Sequence, residues 1–361
     1  MKRFAQNLQV RRYIRLNSAV PLYQAQSYEA FPKLLRLRDG TLWAVWYHGN
    51  WHVDTNNDGK LVQSFSRDRG ATWSAPTVVA DDPVYDTRNP ALGQLDDGTL
   101  IMMIFLYDSK KSLGVRSEWI SSADGGKTWS SPVEIAPDQY NLTGSSENQW
   151  ISPFGNLFRV NDHLVAAFYG APDFTRTEET NQVILLEFLP RQRTWSFFSI
   201  AMKDSTAGFN EAEVGQVGSG FLCVARSSKG LLHYSCSADG HAWSSPAATR
   251  CVRGHAPALV VLGEKGGIWQ LFCSYRGEGS LLRGGKATFD PRTKEFWCEN
   301  AVLHASKGKG HGDCGYSSAV LLEPGTVGFV NYEVEVRGDI GGADTLGTIW
   351  WQLWHPPIKD R

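Results

Sequence analysis

The chain has 361 residues, and its 37 acidic and 36 basic side chains nearly cancel, which argues against a broad electrostatic grip on nucleic acid or an anionic membrane. Hydrophobic residues make up 42% and charged residues 20%, the balance of a folded globular protein. No run approaches the roughly 20 apolar residues that span a bilayer. The N-terminal segment, MKRFAQNLQVRRYIRL, is basic without the apolar stretch of a secretory signal, which favours a cytoplasmic location.

A short motif with the pattern Ser-x-Asp-x-Gly-x-Thr-Trp recurs along the chain. It reads SRDRGATW at 66–73, SADGGKTW at 122–129 and, one residue shorter, SADGHAW at 237–243. The first two copies start 56 residues apart and the last two 115, which is about double. A unit of roughly 57 residues therefore repeats, with one copy of the motif lost between the second and the third.

Each repeat also contains a predicted hairpin: an alternating strand, a turn of the Asp-Gly type and a more apolar second strand. The clearest are LLRLRDGTLWAVWY at 34–47 and ALGQLDDGTLIMMIFLY at 91–107. No long segment has a 3.6-residue apolar period, so we expect few helices. A four-stranded unit of this length is typical of a propeller blade.

The repeat length predicts an all-β, six-bladed propeller that forms a single domain over residues 1–361. Residues 1–25 are expected to add a strand that closes the ring against the last blade and covers its edge. The six predicted blades cover 28–80, 83–140, 150–200, 209–250, 255–300 and 316–355.

The six cysteines have neither the CxxC pairs nor the His/Cys spacing of a metal site, so no metal and no cofactor is expected. Most of them fall within predicted strands and are interpreted as buried free thiols. Cys223 and Cys236 could face each other across a hairpin, which leaves one disulfide as a hypothesis.

The repeated motif is the Asp box, and the chain resembles the sialidase (neuraminidase) superfamily, glycoside hydrolase family 33-like, over nearly its whole length. The resemblance implies a six-bladed propeller in which these turns lie on the rim, away from the substrate. Asp and Gly form the turn and Trp packs beneath it. Asp68, Asp124 and Asp239 are therefore interpreted as structural.

Two segments in the middle of the chain match the superfamily's catalytic pattern. In FNEAEVGQVGSGFLCVAR, 209–226, the resemblance makes Glu211 the partner of the nucleophile and Arg226 a ligand of the substrate carboxylate. Glu213 is the alternative inward-facing carboxylate. In LFCSYRGEGS, 271–280, Arg276 follows an apolar strand where the superfamily has another arginine of its triad.

Two further segments supply the remaining groups. In GDCGYSSAVLLEPGTVGFVNYE, 312–333, Tyr316 matches the nucleophile and Glu333 the carboxylate that supports an arginine. In YHGNWHVDTNNDGK, 47–60, Asp54 fits the acid/base position, and Asp58 is the competitor. Asp58 precedes Gly59 and is interpreted as a turn residue, which favours Asp54.

The chain departs from the superfamily at the first arginine of the triad. The superfamily begins its first blade with Arg-hydrophobic-Pro, whereas the aligned stretch, SYEAFPKLLRLRDG, has Ala30 at the arginine position. Arg88, in the Arg-x-Pro of TRNPALGQL, is the candidate substitute. Lys33 is nearer in sequence, but strand alternation predicts that it points away from the face of Ala30. A different acidic sugar, or loss of catalysis, would also explain the change.

The resemblance implies a retaining exo-glycosidase that releases a terminal sialic acid or a related acidic 2-keto-3-deoxy sugar. A neutral phenol suits such a substrate because a carboxylate nucleophile would approach a carboxylate, and sialidases use a Tyr nucleophile. The expected partner is a glycan with a terminal acidic sugar. The alternatives are a glycosidase or lyase of the same fold acting on a uronate-capped or neutral glycan, and a non-catalytic glycan-binding propeller.

Overall fold

The computed structural model describes residues 19–52, 56–140, 150–171, 180–249, 253–304, 313–336 and 345–356. These residues form six antiparallel sheets, each built mainly from consecutive strands. The prediction of an all-β, six-bladed propeller is confirmed.

The first three blades follow one another in chain order. Blade one comprises β2 (Tyr28–Arg36), β3 (Leu42–Gly49), β4 (Lys60–Ser66) and β5 (Thr77–Ala80). Blade two comprises β6 (Asp86–Gln94), β7 (Leu100–Asp108), β8 (Leu113–Ser122) and β9 (Val133–Glu134). A short 3-10 helix, Pro137–Gln139, precedes blade three, which comprises β10 (Trp150–Pro153), β11 (Phe158–Val160), β12 (His163–Ala171), β13 (Gln182–Leu189) and β14 (Thr194–Met202).

The last three blades repeat the arrangement. Blade four comprises β15 (Phe209–Val217), β16 (Gly220–Ser227), β17 (Leu232–Ser237) and β18 (Ala247–Ala248). Blade five comprises β19 (His255–Lys265), β20 (Ile268–Gly277), β21 (Leu281–Asp290), β22 (Glu295–Cys298) and β23 (Ala301–His304). Blade six comprises β24 (Asp313–Glu323), β25 (Thr326–Val336) and β26 (Thr345–Trp354).

The fourth strand of blade six comes from the N-terminal part of the chain. β1 (Val20–Ala25) pairs antiparallel with β26, and the sheet order is β1-β26-β25-β24. The two ends of the described chain therefore share one sheet, and the ring of blades is joined by backbone hydrogen bonds. The pairing also covers the edge of β26 that would otherwise be free to pair with another chain.

Apolar clusters fill the spaces between neighbouring blades. Trp46 and Leu34 of blade one pack with Val330 and Trp351 of blade six. The second strands are buried on both faces, because each lies between two neighbouring blades, and β7 accordingly reads LIMMIFLYD without polar alternation. Burial on two faces accounts for a continuous apolar run in place of polar alternation.

The Ser-x-Asp-x-Gly-x-Thr-Trp turns are held by their own polar side chains. Asp68 Oδ1 accepts hydrogen bonds from Ser66 Oγ and from the Thr72 backbone N, both at 2.8 Å, and the Gly70 backbone N donates to Ser66 Oγ at 2.8 Å. Hydrogen bonds from Thr72 and Ser66 lower the pKa of Asp68 to about 2. The hydrogen bonds of this carboxylate serve the turn, which agrees with its interpretation as structural.

A β-bulge interrupts the first strand of five blades near the axis. At each bulge the register shifts by one residue, and the residue inside it has a left-handed backbone. A bulge bends the strand and re-aims the side chains beside it. The left-handed residues are Phe31 (φ 53°), Asn89 (φ 47°), Glu211 (φ 47°), Ala256 (φ 47°) and Gly315 (φ 108°).

The disulfide hypothesis is wrong. In the β16–β17 pairing, Cys223 lies opposite Ser235, and Cys236 lies opposite Leu222. The two thiols are therefore one residue out of register and on opposite faces of the sheet, and both are free.

Adjacent glycines in the second turn motif provide a test of blade packing. Gly125 and Gly126 both have positive φ. A Cβ added to Gly126 would lie 2.6 Å from the Phe65 ring of blade one, whereas a Cβ added to Gly125 would have no atom within 4 Å. We expect Gly125→Ala to cost about 1 kcal/mol of unfolding free energy through backbone strain. Gly126→Ala should cost about 1–3 kcal/mol more, because Phe65 must move. Urea unfolding measures the free energy of both variants. An equal loss of stability in the two would contradict the close contact between Gly126 and Phe65.

Candidate active site

The site lies at the axis, where the bulged first strands of blades four and six, separated by blade five, bring their side chains together. Glu211 is the left-handed residue of β15, and Tyr316 follows the left-handed Gly315 in β24. Left-handed φ is unusual for a residue other than glycine, and such strain gathers where side chains must be aimed. The bulges bring two residues 105 positions apart in the chain into contact.

Tyr316 and Glu211 form a hydrogen-bonded pair. The Tyr316 hydroxyl donates to Glu211 Oε1 at 2.5 Å, and the backbone N of Ala256 donates to Glu211 Oε2 at 3.1 Å. Burial, the negative charge of Glu211 and this hydrogen bond raise the pKa of Tyr316 well above its usual value. The phenol is therefore neutral at rest, and its proton points at a carboxylate placed to receive it.

Two of the predicted arginines flank this pair. Arg226 Nη1 lies 3.4 Å from Glu211 Oε1. The Arg276 guanidinium carbon lies 5.8 Å from the centre of the Tyr316 ring. The arginines enter from β16 and β20, the second strands of neighbouring blades. Positive charge therefore lies close to the Tyr316–Glu211 pair, where negative charge develops on the phenol if its proton leaves.

Asp313 is the residue that the sequence argument missed. Its Oδ1 lies 2.8 Å from Arg276 Nη1, while its Oδ2 accepts a hydrogen bond from Tyr28 Oη and lies 3.5 Å from His52 Nδ1. Burial alone raises the pKa of Asp313, but His52, Arg276 and Tyr28 outweigh it and hold the pKa below its usual value. Arg276 is thus already paired with a carboxylate of the protein, that of Asp313. The only sequence signal was an aspartate three residues before Tyr316.

Arg88 belongs to a different cluster. Its guanidinium pairs with Asp86 and lies 4.8 Å from the centre of the Tyr107 ring, in the wall between blades one and two. Asp86 also accepts hydrogen bonds from Ser109 Oγ at 3.0 Å and Tyr47 Oη at 3.1 Å. The structure therefore places Arg88 beside a buried carboxylate rather than beside Glu211, although Asn89 next to it lines the axial cavity with Tyr316.

Ala30, at the position where the resemblance predicts an arginine, packs among aromatic rings. Ala30 is completely buried in a cluster with Tyr28, Phe31 and Tyr332. The centre of the Phe31 ring lies 5.2 Å from that of Tyr316 and 5.4 Å from that of Tyr332. Glu333, expected to support that arginine, instead has its Oε2 3.0 Å from His304 Nε2. The carboxylate is buried and has a histidine partner.

The remaining sequence candidates divide into those that are placed and one that is not. Glu213 is buried and accepts a hydrogen bond from the Asn156 backbone N at 3.3 Å, whereas the hydrogen bond of Tyr316 goes to Glu211. Asp54 lies outside the described residues. Its competitor Asp58 accepts a hydrogen bond from the Asn50 side chain.

The expectation that Lys33 points away from the face of Ala30 is wrong. Ala30 pairs with Tyr47 and Lys33 with Val45, so three steps along β2 match two steps along β3. The extra residue in the bulge reverses the alternation and returns Lys33 to the face of Ala30. Strand parity counted from the sequence cannot include a bulge that the sequence does not announce.

The described residues contain no group of three or more His, Cys, Asp or Glu side chains arranged to hold a metal ion. No helix within the described part of the chain is long and apolar enough to cross a membrane. The groups gathered at the axis are a phenol, carboxylates and guanidiniums, which suit acid–base and nucleophilic chemistry on a polar organic substrate.

The fold and the axial site define a class, the six-bladed β-propellers with the sialidase architecture. The family described as BNR repeat-like domain matches residues 40–329, and this chain belongs to it. A comparison with curated protein sequences finds no match.

Solved structures show the same fold at low sequence identity. A protein of unknown function from Dyadobacter fermentans has a TM-score of 0.70 at 20% identity, over 93% of this chain and 98% of its own. NanB sialidase from Streptococcus pneumoniae has a TM-score of 0.68 at 12% identity, over 94% of this chain and 71% of its own. The α-L-arabinofuranosidase Arb93A from Fusarium graminearum has a TM-score of 0.66 at 15% identity, over 94% of this chain and 98% of its own.

The Asp313–Arg276 contact predicts how stability depends on pH. The side chains are 12% and 23% exposed, so Asp313→Asn should cost about 2 kcal/mol of unfolding free energy at pH 7 by leaving Arg276 poorly paired. Because folding lowers the pKa of Asp313, this stabilisation is complete above about pH 4, the unfolded value, and is lost as pH falls through the folded value.

Urea unfolding at pH 7 and at successively lower pH measures this difference. The gap between wild type and Asp313→Asn should close as the medium becomes acidic. Asp162→Asn, on an exposed turn of blade three, is the control and should change little at any pH. A gap that is absent at pH 7, or independent of pH, would argue against a buried ion pair.

Proposed function

We propose that this chain is a retaining exo-glycosidase in which Tyr316 is the nucleophile and Glu211 the base that receives its proton. The observation that carries the proposal is the 2.5 Å hydrogen bond from the Tyr316 hydroxyl to Glu211 Oε1. A phenol with a raised pKa is a weak nucleophile unless a base takes its proton during attack. Glu211 is held for this role by the backbone N of Ala256 and by Arg226.

The proposed reaction has two displacements. The Tyr316 oxygen attacks the anomeric carbon while Glu211 takes the phenolic proton, and Asp54 protonates the oxygen of the leaving group as the glycosidic bond breaks. Asp54 then removes a proton from water, which attacks the same carbon; the bond to Tyr316 breaks and Glu211 returns the proton to the phenol. Two inversions give net retention.

For the sugar, we propose a terminal sialic acid or a related acidic 2-keto-3-deoxy sugar. Arg226 and Arg276 flank the phenol, where a carboxylate attached to the anomeric carbon would lie. Guanidinium groups recognise carboxylates through paired hydrogen bonds. The sialidases among proteins of the same fold agree with this choice.

A second candidate substrate is a neutral terminal sugar. Arg276 already forms an ion pair with Asp313, and Ala30 supplies no charge where the superfamily has its first arginine. The aromatic rings in that place suit stacking on a sugar face. An arabinofuranosidase among proteins of the same fold supports this candidate.

Replacing Tyr316 by Phe tests the nucleophile. Turnover of the best substrate should fall at least about a thousandfold because the attacking oxygen is gone, while binding of that glycoside, measured by calorimetry, is kept. Tyr140→Phe, at a buried tyrosine outside the site, should keep full activity. Unchanged turnover by Tyr316→Phe would remove the phenol from the mechanism.

Arg226→Met tests the acidic sugar. We expect wild type to cleave an aryl α-sialoside or an aryl glycoside of another 2-keto-3-deoxy acid, and the variant to raise KM about 30-fold by losing a charged hydrogen bond. An aryl α-L-arabinofuranoside is the neutral comparison. Turnover of the neutral glycoside alone would favour the second candidate. Binding without cleavage of any sugar would indicate a glycan-binding propeller.

A further inference from the structure

A buried lysine lies at the axis beside the Tyr316–Glu211 pair. Lys33 is 4% exposed, and its ammonium nitrogen lies 3.5 Å from the centre of the Phe154 ring, which follows β10 of blade three. Lys33 and Phe154 line one small cavity together with Tyr316, Asn89 and Phe31, so blades one, two, three and six all contribute to it. Lys33 and Tyr316 therefore line the same cavity.

Two carboxylates lie within electrostatic range of Lys33. Burial lowers the pKa of Lys33, and the negative charges of Glu213 and Glu211 oppose that effect. Burial raises the pKa of Glu213, which Lys33 opposes in turn. A charged lysine is costly in such a place unless carboxylates compensate it, and an apolar side chain of similar length would pack as well. The cost points to a role for the charge itself.

The charges around Glu211 show what that role is. The carboxylate is approached by Tyr316 from β24, Arg226 from β16, His255 from β19 and Lys33 from β2, with Glu213 on its own strand. Burial and the positive charges of Arg226 and Arg276 lower the pKa of His255. The neutral form is favoured there, so His255 is a poor source of positive charge. Lys33 and Arg226 are then the cations that act on Glu211.

We propose that Lys33 is a positioning residue for the Tyr316–Glu211 pair, whose ammonium group supplies from β2 the axial positive charge that Ala30 cannot. It acts through Glu211, by favouring the ionised carboxylate that can accept the phenolic proton. It also offsets the negative charge of Glu213, two residues further along the same strand. This inference rests on the proposed function for its catalytic consequence but not for its electrostatic one.

The test compares Lys33→Met, which removes the charge and keeps the stem, with Lys33→Arg, which keeps the charge at any working pH. We expect Lys33→Met to fold at least as stably as wild type, because an apolar side chain replaces a buried charge. Its kcat should fall about tenfold with KM changed less than about threefold, and the acid limb of the pH–rate profile should move up by roughly one pH unit.

Lys33→Arg should keep the acid limb of wild type and lose any fall in rate that Lys33 causes on giving up its proton at alkaline pH. Lys286→Met, at a half-buried lysine on β21, is the control and should leave both limbs in place. A Lys33→Met enzyme with reduced kcat but an unmoved acid limb would make Lys33 merely structural and overturn the proposal.

A measurement without substrate separates this inference from the proposed function. The side-chain ¹³C signal of Glu211 in glutamate-labelled protein, assigned by its loss in Glu211→Gln, should respond to acid at higher pH in Lys33→Met than in wild type. If it does so while no glycoside is cleaved, the proposed function fails and the role of Lys33 stands. If the signal is unmoved in an enzyme that cleaves glycosides, the role of Lys33 fails and the proposed function stands.

Discussion

The structure depends on one backbone constraint, the bulge with a left-handed residue near the start of the first strand in five blades. A regular strand would send alternate side chains into the two neighbouring interblade cores. The extra residue breaks that alternation where the blades converge. It gives Glu211 its φ of 47°, aims Tyr316 at it from two blades away, and returns Lys33 to the axis. The strain of the bulges is supported by the packed blades on either side.

The second organising feature is the balance of charge in a poorly solvated place. Arg276 has Asp313, Arg88 has Asp86, and Lys33 lies near Glu213, so each of these cations has a carboxylate close by. Unpaired charges would be costly at this depth. The pairing also bears on the proposed recognition of an acidic sugar, because its carboxylate would compete with Asp313 for Arg276, and the Asp313–Arg276 contact measures 2.8 Å.

Propellers of this architecture separate fold from specificity. The interblade cores and polar turns build the ring, and the residues at the axis decide the chemistry. Ala30, at the position where the resemblance predicts an arginine, is compatible with the ring because Phe31, Tyr28 and Tyr332 pack closely there.

Repeat length and hairpin pattern were enough to predict six blades, because turns and apolar alternation are local properties that recur in the chain. The resemblance to the sialidase superfamily pointed to Glu211 and Tyr316, and the structure places the two side chains in hydrogen-bond contact, while their catalytic roles stay a proposal. Sequence did not predict the roles of Asp313 and Lys33 or the separate position of Arg88. Asp313 and Lys33 meet groups from other blades, and Arg88 pairs with Asp86 of its own strand in the wall between two blades. A bulge also changes which face a residue occupies without a signal in composition or period. Local rules determined the blades, and only tertiary contact decided which charges meet at the axis.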